Sequence, residues 1–290
     1  MLRPFTQVDV FTDAPYLGNP VAVVLDGSGL TTAQMQEFAR WTNLSETTFV
    51  LPPSDASADY RVRIFTPVLE LPFAGHPTLG TCHAWLAASR TPQRPDVVVQ
   101  ECDAGLIQVR RGAGQLAFAA PPLLRSGPVD DGLRDELTAA MGLTRDDVVD
   151  AAWVDNGPGW VALLLASADA VLAVRPTFID QDVGLVGPYP DGSPQAFEVR
   201  GFFPKDGSLA EDPVTGSLNA SLAMWLLESG RATAPYVASQ GTVLGRAGRD
   251  SRVRAAHHHP LETIHNPSMS AIAYLPGFCP ASQRAVFSAP

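Results

Sequence analysis

Apolar and polar residues follow one another along the chain with periods that each predict one kind of element. Phe5–Phe11 alternates the two classes, as a half-buried strand does. The continuous apolar run Val21–Leu25 follows a Gly-Asn-Pro turn and predicts a buried hairpin partner for that strand. Apolar residues then recur at helical spacing over residues 33–42, with Thr31 or Thr32 in the position of an N-cap. A strand, its partner and a helix therefore open the fold.

Further short strands and helices follow, separated by turns that contain glycine or proline. The predicted strands are Glu46–Leu51, Tyr60–Thr66, Gln115–Ala119, Gly159–Ala166 and Ala196–Phe203. The predicted helices run from the turn Phe73–Pro77 to about Ala88, from Asp131 to Met141, and from the turn Glu211–Ser217 to about Leu227. Short strands mixed with helices in this way predict an α+β fold.

The second half of the chain repeats the first at an offset of about 140 residues. Phe65–Pro67 matches Phe202–Pro204, and Ala74–His76 matches Thr215–Ser217. The repeat predicts duplication and two similar domains that face each other, although chance likeness among common α+β elements is the alternative. The predicted domains are residues 1–112, residues 113–262 and a divergent tail at 263–290.

Composition and charge narrow the class of protein. Hydrophobic residues make up 46% of the 290 residues and charged residues 17%, which excludes wholesale disorder. A net charge of −10 without a basic block argues against nonspecific nucleic-acid binding. No signal peptide is visible and no apolar stretch approaches the roughly 20 residues that span a bilayer. We therefore expect a soluble, cytoplasmic protein that binds neither nucleic acid nor membrane.

Lysine and cysteine restrict the chemistry further. Lys205 is the one lysine in the sequence, so a cofactor tethered as a Schiff base would need it, and no cofactor motif surrounds it. Three widely spaced cysteines, Cys82, Cys102 and Cys279, form neither a disulfide framework nor a metal-binding pattern. We expect no cofactor and no metal.

Two strand-to-helix turns at matching positions of the repeat are the candidate binding elements. Gly75-His76 and Gly216-Ser217 each stand where a predicted helix begins. Glycine allows close approach of a ligand, and helix starts offer N–H donors to an anion. Facing each other across an interdomain cleft, the two turns would jointly hold a carboxylate or a developing enolate oxygen. The alternative is two ordinary helix caps.

Four polar side chains lie at or near these turns and strand ends. Each has a structural alternative: Glu46 as a solvated strand end, His76 as a packed neutral imidazole, Asp212 as an acid at a helix start, and Ser217 as a capping hydroxyl. Brought together in a cleft, a glutamate, a histidine and an aspartate form a proton-transfer site without a metal or nucleotide motif.

Three motifs occur in the same order along this chain as in a known protein family. Asn43–Thr47, Glu70–Gly80 and Glu211–Ser217, with the opening segments Asp9–Thr12 and Gly18–Val23, resemble the PhzF family of phenazine-biosynthesis-like isomerases. The resemblance covers about residues 4–250. It implies the diaminopimelate-epimerase-like fold, in which two pseudo-symmetric α+β domains each wrap a sheet around a central helix, and it makes a homodimer plausible.

The resemblance also implies roles for individual residues. The family carries out cofactor-free acid/base isomerisation of a dihydro-hydroxyanthranilate, in which Glu46 would remove a carbon-bound proton and return it elsewhere. His76 and Asp212 would bind substrate or relay protons. The expected contacts to the carboxylate-bearing substrate are the backbone of Gly75 and Gly216 together with Ser217 and Asn19.

Racemases of the same fold suggest the competing reaction. They carry one catalytic cysteine just before the glycine of each turn, where this chain has Ala74 and Thr215. Cys82 lies farther into the helix, where we expect it to pack as a small apolar residue. Two-thiol racemisation is therefore disfavoured. An amino- or imino-acid epimerase, a dehydratase, and a carboxylate-binding protein without turnover stay as alternatives.

The C-terminal segment departs from the family pattern. After about Gly245-Arg246 the expected alternating strands give way to a basic, histidine-containing stretch and a proline-rich tail. We expect a divergent or frameshifted C-terminus that has lost a closing strand and leaves an open sheet edge. His257–His259 with His265 suggest a metal site, but consecutive residues of a regular element point in different directions, which disfavours it.

Overall fold

The computed structural model describes residues 2–112, 115–205, 207–254, 271–274 and 283–288. Its helices are α1 (Thr32–Thr42), α2 (Gly75–Ala87), α3 (Asp131–Ala140), α4 (Ala168–Ala173) and α5 (Gly216–Glu228). Its first nine strands are β1 (Leu2–Val10), β2 (Asn19–Val24), β3 (Glu46–Leu51), β4 (Tyr60–Phe65), β5 (Glu70–Leu71), β6 (Val97–Cys102), β7 (Gly105–Gly112), β8 (Gln115–Ala119) and β9 (Arg125–Pro128). The others are β10 (Val148–Asp155), β11 (Val161–Leu165), β12 (Val183–Pro188), β13 (Phe197–Lys205), β14 (Ser208–Asp212), β15 (Tyr236–Gln240), β16 (Gly248–Arg254), β17 (Ala271–Tyr274) and β18 (Gln283–Ser288).

The chain forms two compact units, Met1–Phe118 with Leu275–Pro290, and Ala119–Tyr274. In the first unit the strands pair in the order β18-β1-β2-β3-β4-β6-β7-β8, and β5 forms a short hairpin with β4. The pairs β2–β3 and β4–β6 are parallel and the others are antiparallel. Helix α2 packs against β1, β2 and β3, so the sheet surrounds it.

The second unit repeats this topology strand for strand. Its order is β9-β10-β11-β12-β13-β15-β16-β17, with β14 as the short hairpin on β13. The pairs β11–β12 and β13–β15 are again parallel. Helix α5 takes the place of α2. The predicted duplication and the α+β fold with two pseudo-symmetric halves, each a sheet around a central helix, are confirmed.

Burial on all sides explains why α2 and α5 are central. Nine of the 13 residues of α2 and eight of the 13 of α5 are buried, without the polar face of a surface helix. In the second unit Leu164 of β11 packs toward α5, while Val161 and Leu163 pack toward α3 and α4. Since both faces of β11 are covered, its continuous apolar run predicts a buried strand correctly.

The expected loss of closing strands at the C-terminus is wrong. β17 pairs with β16, and β18 pairs along β1 from Leu2 to Gln7. The partner of β18 is β1, at the opposite end of the sequence, so no local pattern indicates this pairing. His257–His259 and His265 lie outside the described residues, as does most of the predicted tail. In the described part of the chain, no helix has the length and apolarity that a membrane crossing needs.

Gly80 sets the distance between α2 and β2. A Cβ atom at this position would lie 2.3 Å from Cγ1 of Val21 and 3.0 Å from Cγ2 of Val10, and neither stiff valine can move away. We expect Gly80→Ala to lower the free energy of unfolding by about 1–3 kcal/mol, measured by urea denaturation. Gly132→Ala in the exposed part of α3 is the matched control, because its Cβ meets only the Asp130 carboxylate at 3.3 Å. An equal effect of the two substitutions would contradict the prediction.

Candidate active site

Glu46 is the first residue of β3 and lies beside the turn that follows β1. The parallel pairing of β2 with β3 places Glu46 opposite Val21, next to the segment Gly18–Pro20. Its side chain is 16% exposed, so the carboxylate is half-buried rather than freely solvated. Asn19, at the start of β2, is fully buried.

His76, the second residue of α2, faces Glu46. Its Nε2 lies 3.3 Å from Oε2 of Glu46, and the imidazole is 7% exposed. Burial lowers the pKa of His76 to about 3, against a weaker opposing effect of its hydrogen bond to the Pro20 carbonyl. The imidazole is therefore neutral at neutral pH. Because Nε2 makes no hydrogen bond to any of the described residues, the N–H that donates to Pro20 is Nδ1–H.

This tautomer decides what the pair can do. The Nε2 atom that faces Glu46 carries a lone pair, so a hydrogen bond between the two side chains requires a proton on the Glu46 carboxyl group. The imidazole can therefore accept a hydrogen bond from protonated Glu46 but cannot serve as a cationic acid.

The depressed pKa of His76 makes stability depend on pH. The unfolded chain binds a proton at this histidine near pH 6.5, whereas the folded chain binds it only near pH 3. Acidification below pH 6.5 therefore favours the unfolded chain, and the free energy of unfolding falls. Relative to His76→Gln, the wild type should lose about 2 kcal/mol between pH 7 and pH 5. Urea denaturation of both proteins at several pH values measures this difference. A difference that stays constant over that range would contradict the prediction.

In the second unit, Asp212 and Ser217 flank the start of α5. Asp212 ends β14, opposite Gly201 of β13, and its Oδ2 accepts a hydrogen bond of 2.8 Å from the Thr215 hydroxyl. The Ser217 hydroxyl oxygen accepts a hydrogen bond of 3.0 Å from the indole N–H of Trp160. Ser217 is the second residue of α5, and its N-cap is Thr215, so the Ser217 hydroxyl is not the cap of this helix.

The two glycines of the predicted turns each open a central helix. Gly75 is the first residue of α2 and Gly216 the first residue of α5. The residues before them, Ala74 and Thr215, are extended N-caps that make no side-chain capping bond. The structure thus brings Glu46 to His76 in the first unit, and Asp212 and Ser217 to the start of α5 in the second.

Sequence reasoning missed two buried glutamines at the same repeat offset. Gln100 on β6 and Gln240 on β15 are both fully buried beneath the starts of α2 and α5. Gln100 donates to the Thr78 hydroxyl at 2.9 Å, and Gln240 donates to the Thr215 hydroxyl at 2.9 Å. A closer comparison of the two halves, which places these glutamines 140 positions apart, would have found them.

The described residues offer this site neither a cysteine base nor a metal cluster. Cys82 is fully buried, and burial raises the pKa of its thiol to about 12, so it is no base at neutral pH. Its predicted packing as an apolar residue is confirmed. Over the part of the chain that the structure describes, no three His, Cys, Asp or Glu side chains group as a metal site would require.

Comparison with known proteins gives close matches along the whole fold. The profile of the family described as phenazine biosynthesis-like protein matches residues 8–264. Antisense-enhancing sequence 1 of Schizosaccharomyces pombe is 34% identical over 259 residues, covering 83% of this chain and 87% of that protein. A trans-2,3-dihydro-3-hydroxyanthranilate isomerase of Pseudomonas fluorescens is 36% identical over 255 residues, covering 84% and 88%.

Solved structures agree on the fold. A phenazine biosynthesis protein of the PhzF family from Bacillus anthracis superposes with a TM-score of 0.80 over 98% of this chain and 99% of that chain, at 20% identity. A hydroxyproline epimerase from Agrobacterium vitis superposes with a TM-score of 0.57 over 100% and 94%, at 13% identity. The epimerase has the same two-domain fold. At 13% identity, the likeness extends to the fold and not to the reaction.

Proposed function

The chain belongs to the phenazine biosynthesis-like (PhzF) family and is an isomerase, and we propose that it moves a proton on a small carboxylate-bearing substrate without a cofactor. The observation that carries this proposal is the buried pair of Glu46 and neutral His76, 3.3 Å apart. Family membership supports it, since relatives that share about a third of their residues with this chain are named isomerases of trans-2,3-dihydro-3-hydroxyanthranilate.

Glu46 is the proposed base and acid. Its carboxylate removes a proton from a substrate carbon, and the electron pair of the broken C–H bond enters the conjugated system. The Glu46 carboxyl group then donates a hydrogen bond to Nε2 of His76, which holds the proton until it is returned to another carbon. Substrate and product differ only in the position of a hydrogen atom and a double bond, so no oxidant is consumed.

The start of α2 and the start of α5 are each proposed, within their own unit, as a place where a carboxylate binds. N–H groups in the first turn of a helix point out of it and favour an anion, and Gly75 and Gly216 allow a close approach. Asp212 and Ser217 would bind substrate or relay a proton beside α5. Asn19, two residues before the β2 partner of Glu46, is the further proposed contact.

Exchange in heavy water tests the proposal. Incubated in D₂O with trans-2,3-dihydro-3-hydroxyanthranilate, the enzyme should form an isomer that carries deuterium at the newly protonated carbon, detected by mass spectrometry and NMR. Isomerisation without the need for any added metal ion or cofactor is the expected result. Turnover that depends on an added cofactor, or rearrangement with no proton exchanged at carbon, would contradict it.

Epimerisation is the other reaction that this fold supports. It would place a base at Ala74 and at Thr215, but neither residue can deprotonate a carbon, and the nearby thiol of Cys82 has a pKa of about 12. With proline or hydroxyproline as substrate we therefore expect no exchange at Cα. The homodimer and the cytoplasmic location that the sequence suggests stay predictions.

A further inference from the structure

The Thr215 hydroxyl contacts the carboxylate of Asp212 instead of capping its own helix. As the N-cap of α5, a threonine would normally accept a hydrogen bond from a backbone N–H of the first turn. Here its side chain makes no such bond, and its Oγ1 lies 2.8 Å from Oδ2 of Asp212. The backbone N–H of Thr215 is satisfied by Oε1 of Gln240 at 2.9 Å.

Gln240 fixes the direction in which this hydroxyl points. Its Nε2 donates to Oγ1 of Thr215 at 2.9 Å and to the carbonyl of Asp212 at 3.1 Å. Its Oε1 accepts from the Thr215 N–H and, at 2.7 Å, from Nδ2 of Asn219, so the amide cannot be flipped without losing both bonds. Because the Thr215 oxygen already accepts a hydrogen from Gln240, its own hydrogen is directed to Asp212.

Burial makes this orientation costly to change. Gln240 and Asn219 are fully buried and Thr215 nearly so, and a buried polar group without a partner is expensive. The site is also tight, since a Cβ atom on Gly201 would lie 2.9 Å from Oγ1 of Thr215. The hydroxyl therefore has one favourable partner for its hydrogen, which is the Asp212 carboxylate.

The first unit shows that the fold does not require this link. There Gln100 donates to the Thr78 hydroxyl, which donates to the carbonyl of Ala74 at 2.9 Å and contacts no acid. The glutamine and the helix start are the same, but the N-cap is alanine. Among the described residues, the connection from glutamine through hydroxyl to carboxylate occurs in the second unit and not in the first, which argues for a role at Asp212 beyond stabilising the helix.

We propose that Thr215 and Gln240 are positioning residues for Asp212. Gln240 orients the Thr215 hydroxyl, and that hydroxyl holds the Asp212 carboxylate in one orientation. The inference rests on the function proposed above, in which Asp212 binds substrate or relays a proton. Thr215 thus has an acid-positioning role at the place where racemases of this fold have a thiol.

Kinetics of Thr215 variants test the proposal. Thr215→Val removes the hydroxyl at nearly constant volume, and we expect kcat for deuterium incorporation to fall about 10- to 100-fold with KM within a few-fold of the wild type. Thr215→Ser keeps the hydroxyl and should restore most of the rate. Thr78→Val is the matched control: it removes the hydroxyl that Gln100 contacts in the first unit and should lower stability without lowering kcat.

Crystal structures provide a readout that needs no turnover. In Thr215→Val, and also in Thr215→Ala if the valine variant does not fold, the Asp212 carboxylate should rotate away from its wild-type position, while Thr78→Val leaves it in place. A wild-type rate in Thr215→Val, no rescue by serine, or an unmoved Asp212 carboxylate would each overturn the proposal.

Failure of the proposed function gives a different result. If Glu46→Gln and Asp212→Asn exchange at the wild-type rate, the proposed function fails. The position of the Asp212 carboxylate in Thr215→Val then still decides whether Thr215 orients Asp212.

Discussion

Replacing Glu46 by glutamine is expected to slow deuterium incorporation into trans-2,3-dihydro-3-hydroxyanthranilate by about 10²- to 10⁴-fold. Glutamine has the size and shape of the carboxyl group but cannot take a proton from carbon. Its amide N–H₂ group can still donate to Nε2 of His76, so the local packing is retained. The rate is measured by mass spectrometry of the product formed in D₂O.

Glu37→Gln is the matched control for this substitution. Glu37 lies exposed on α1, in the same unit as Glu46. The same change of charge there should leave the exchange rate unchanged. If the Glu46 variant exchanges as fast as the wild type while both variants melt alike, another residue is the base.

Arg200→Met is expected to lower the free energy of unfolding by about 3–5 kcal/mol. The guanidinium of Arg200 binds Glu211 through two hydrogen bonds, of 2.8 and 2.9 Å, and the two side chains are only 3% and 11% exposed. It also donates to the carbonyls of Val171 and Val174 at the end of α4. Removing it leaves Glu211 as a buried, uncompensated charge beside Asp212, so urea denaturation should show the loss.

The duplicated fold supplies the matched control for Arg200. In the first unit Arg63 binds Glu70 with the same two-bond geometry, but these side chains are 19% and 25% exposed. Water partly screens this pair, so Arg63→Met should cost only about 1 kcal/mol. Arg200→Met with Glu211→Leu should recover part of the stability, because no charge is then left buried. If Arg200→Met and Arg63→Met lower the free energy of unfolding equally, burial does not determine the size of the effect.

These ion pairs also explain the roles of two glutamates that the sequence shows only as parts of motifs. Glu70 and Glu211 stand at the start of the two turn motifs, and no local pattern indicates what they do. The structure shows that each tethers the short hairpin before a central helix to the neighbouring long strand. Their arginine partners lie seven and 11 positions earlier, on the paired strand.

Some strands escape prediction from the sequence for identifiable reasons. β12 contains Gly184 and Gly187, which a strand pattern disfavours. A Cβ atom on Gly184 would lie 2.4 Å from Cδ1 of Leu218, so close packing of α5 requires this glycine. β7 exposes most of its side chains and lacks an apolar period, so only its pairing with β6 and β8 makes it a strand.

The periodic elements, the duplication and the family can all be inferred from the amino-acid sequence. Those features depend on residues close together in the chain, such as the buried run Val161–Leu165, or on motifs matched one to one. It also placed Glu46, His76, Asp212 and Ser217 at strand ends and helix starts, because glycine turns are local signals.

The contacts between these side chains, by contrast, depend on packing between distant segments. His76 meets Glu46 from 30 positions away because β2 pairs with β3 and α2 packs against both, and that burial, which no local pattern shows, makes its imidazole neutral. Gln240 orients Thr215 from 25 positions away because β13 pairs with both β14 and β15. Protonation and hydroxyl orientation depend on which groups exclude water and supply partners, and both are consequences of packing between distant segments.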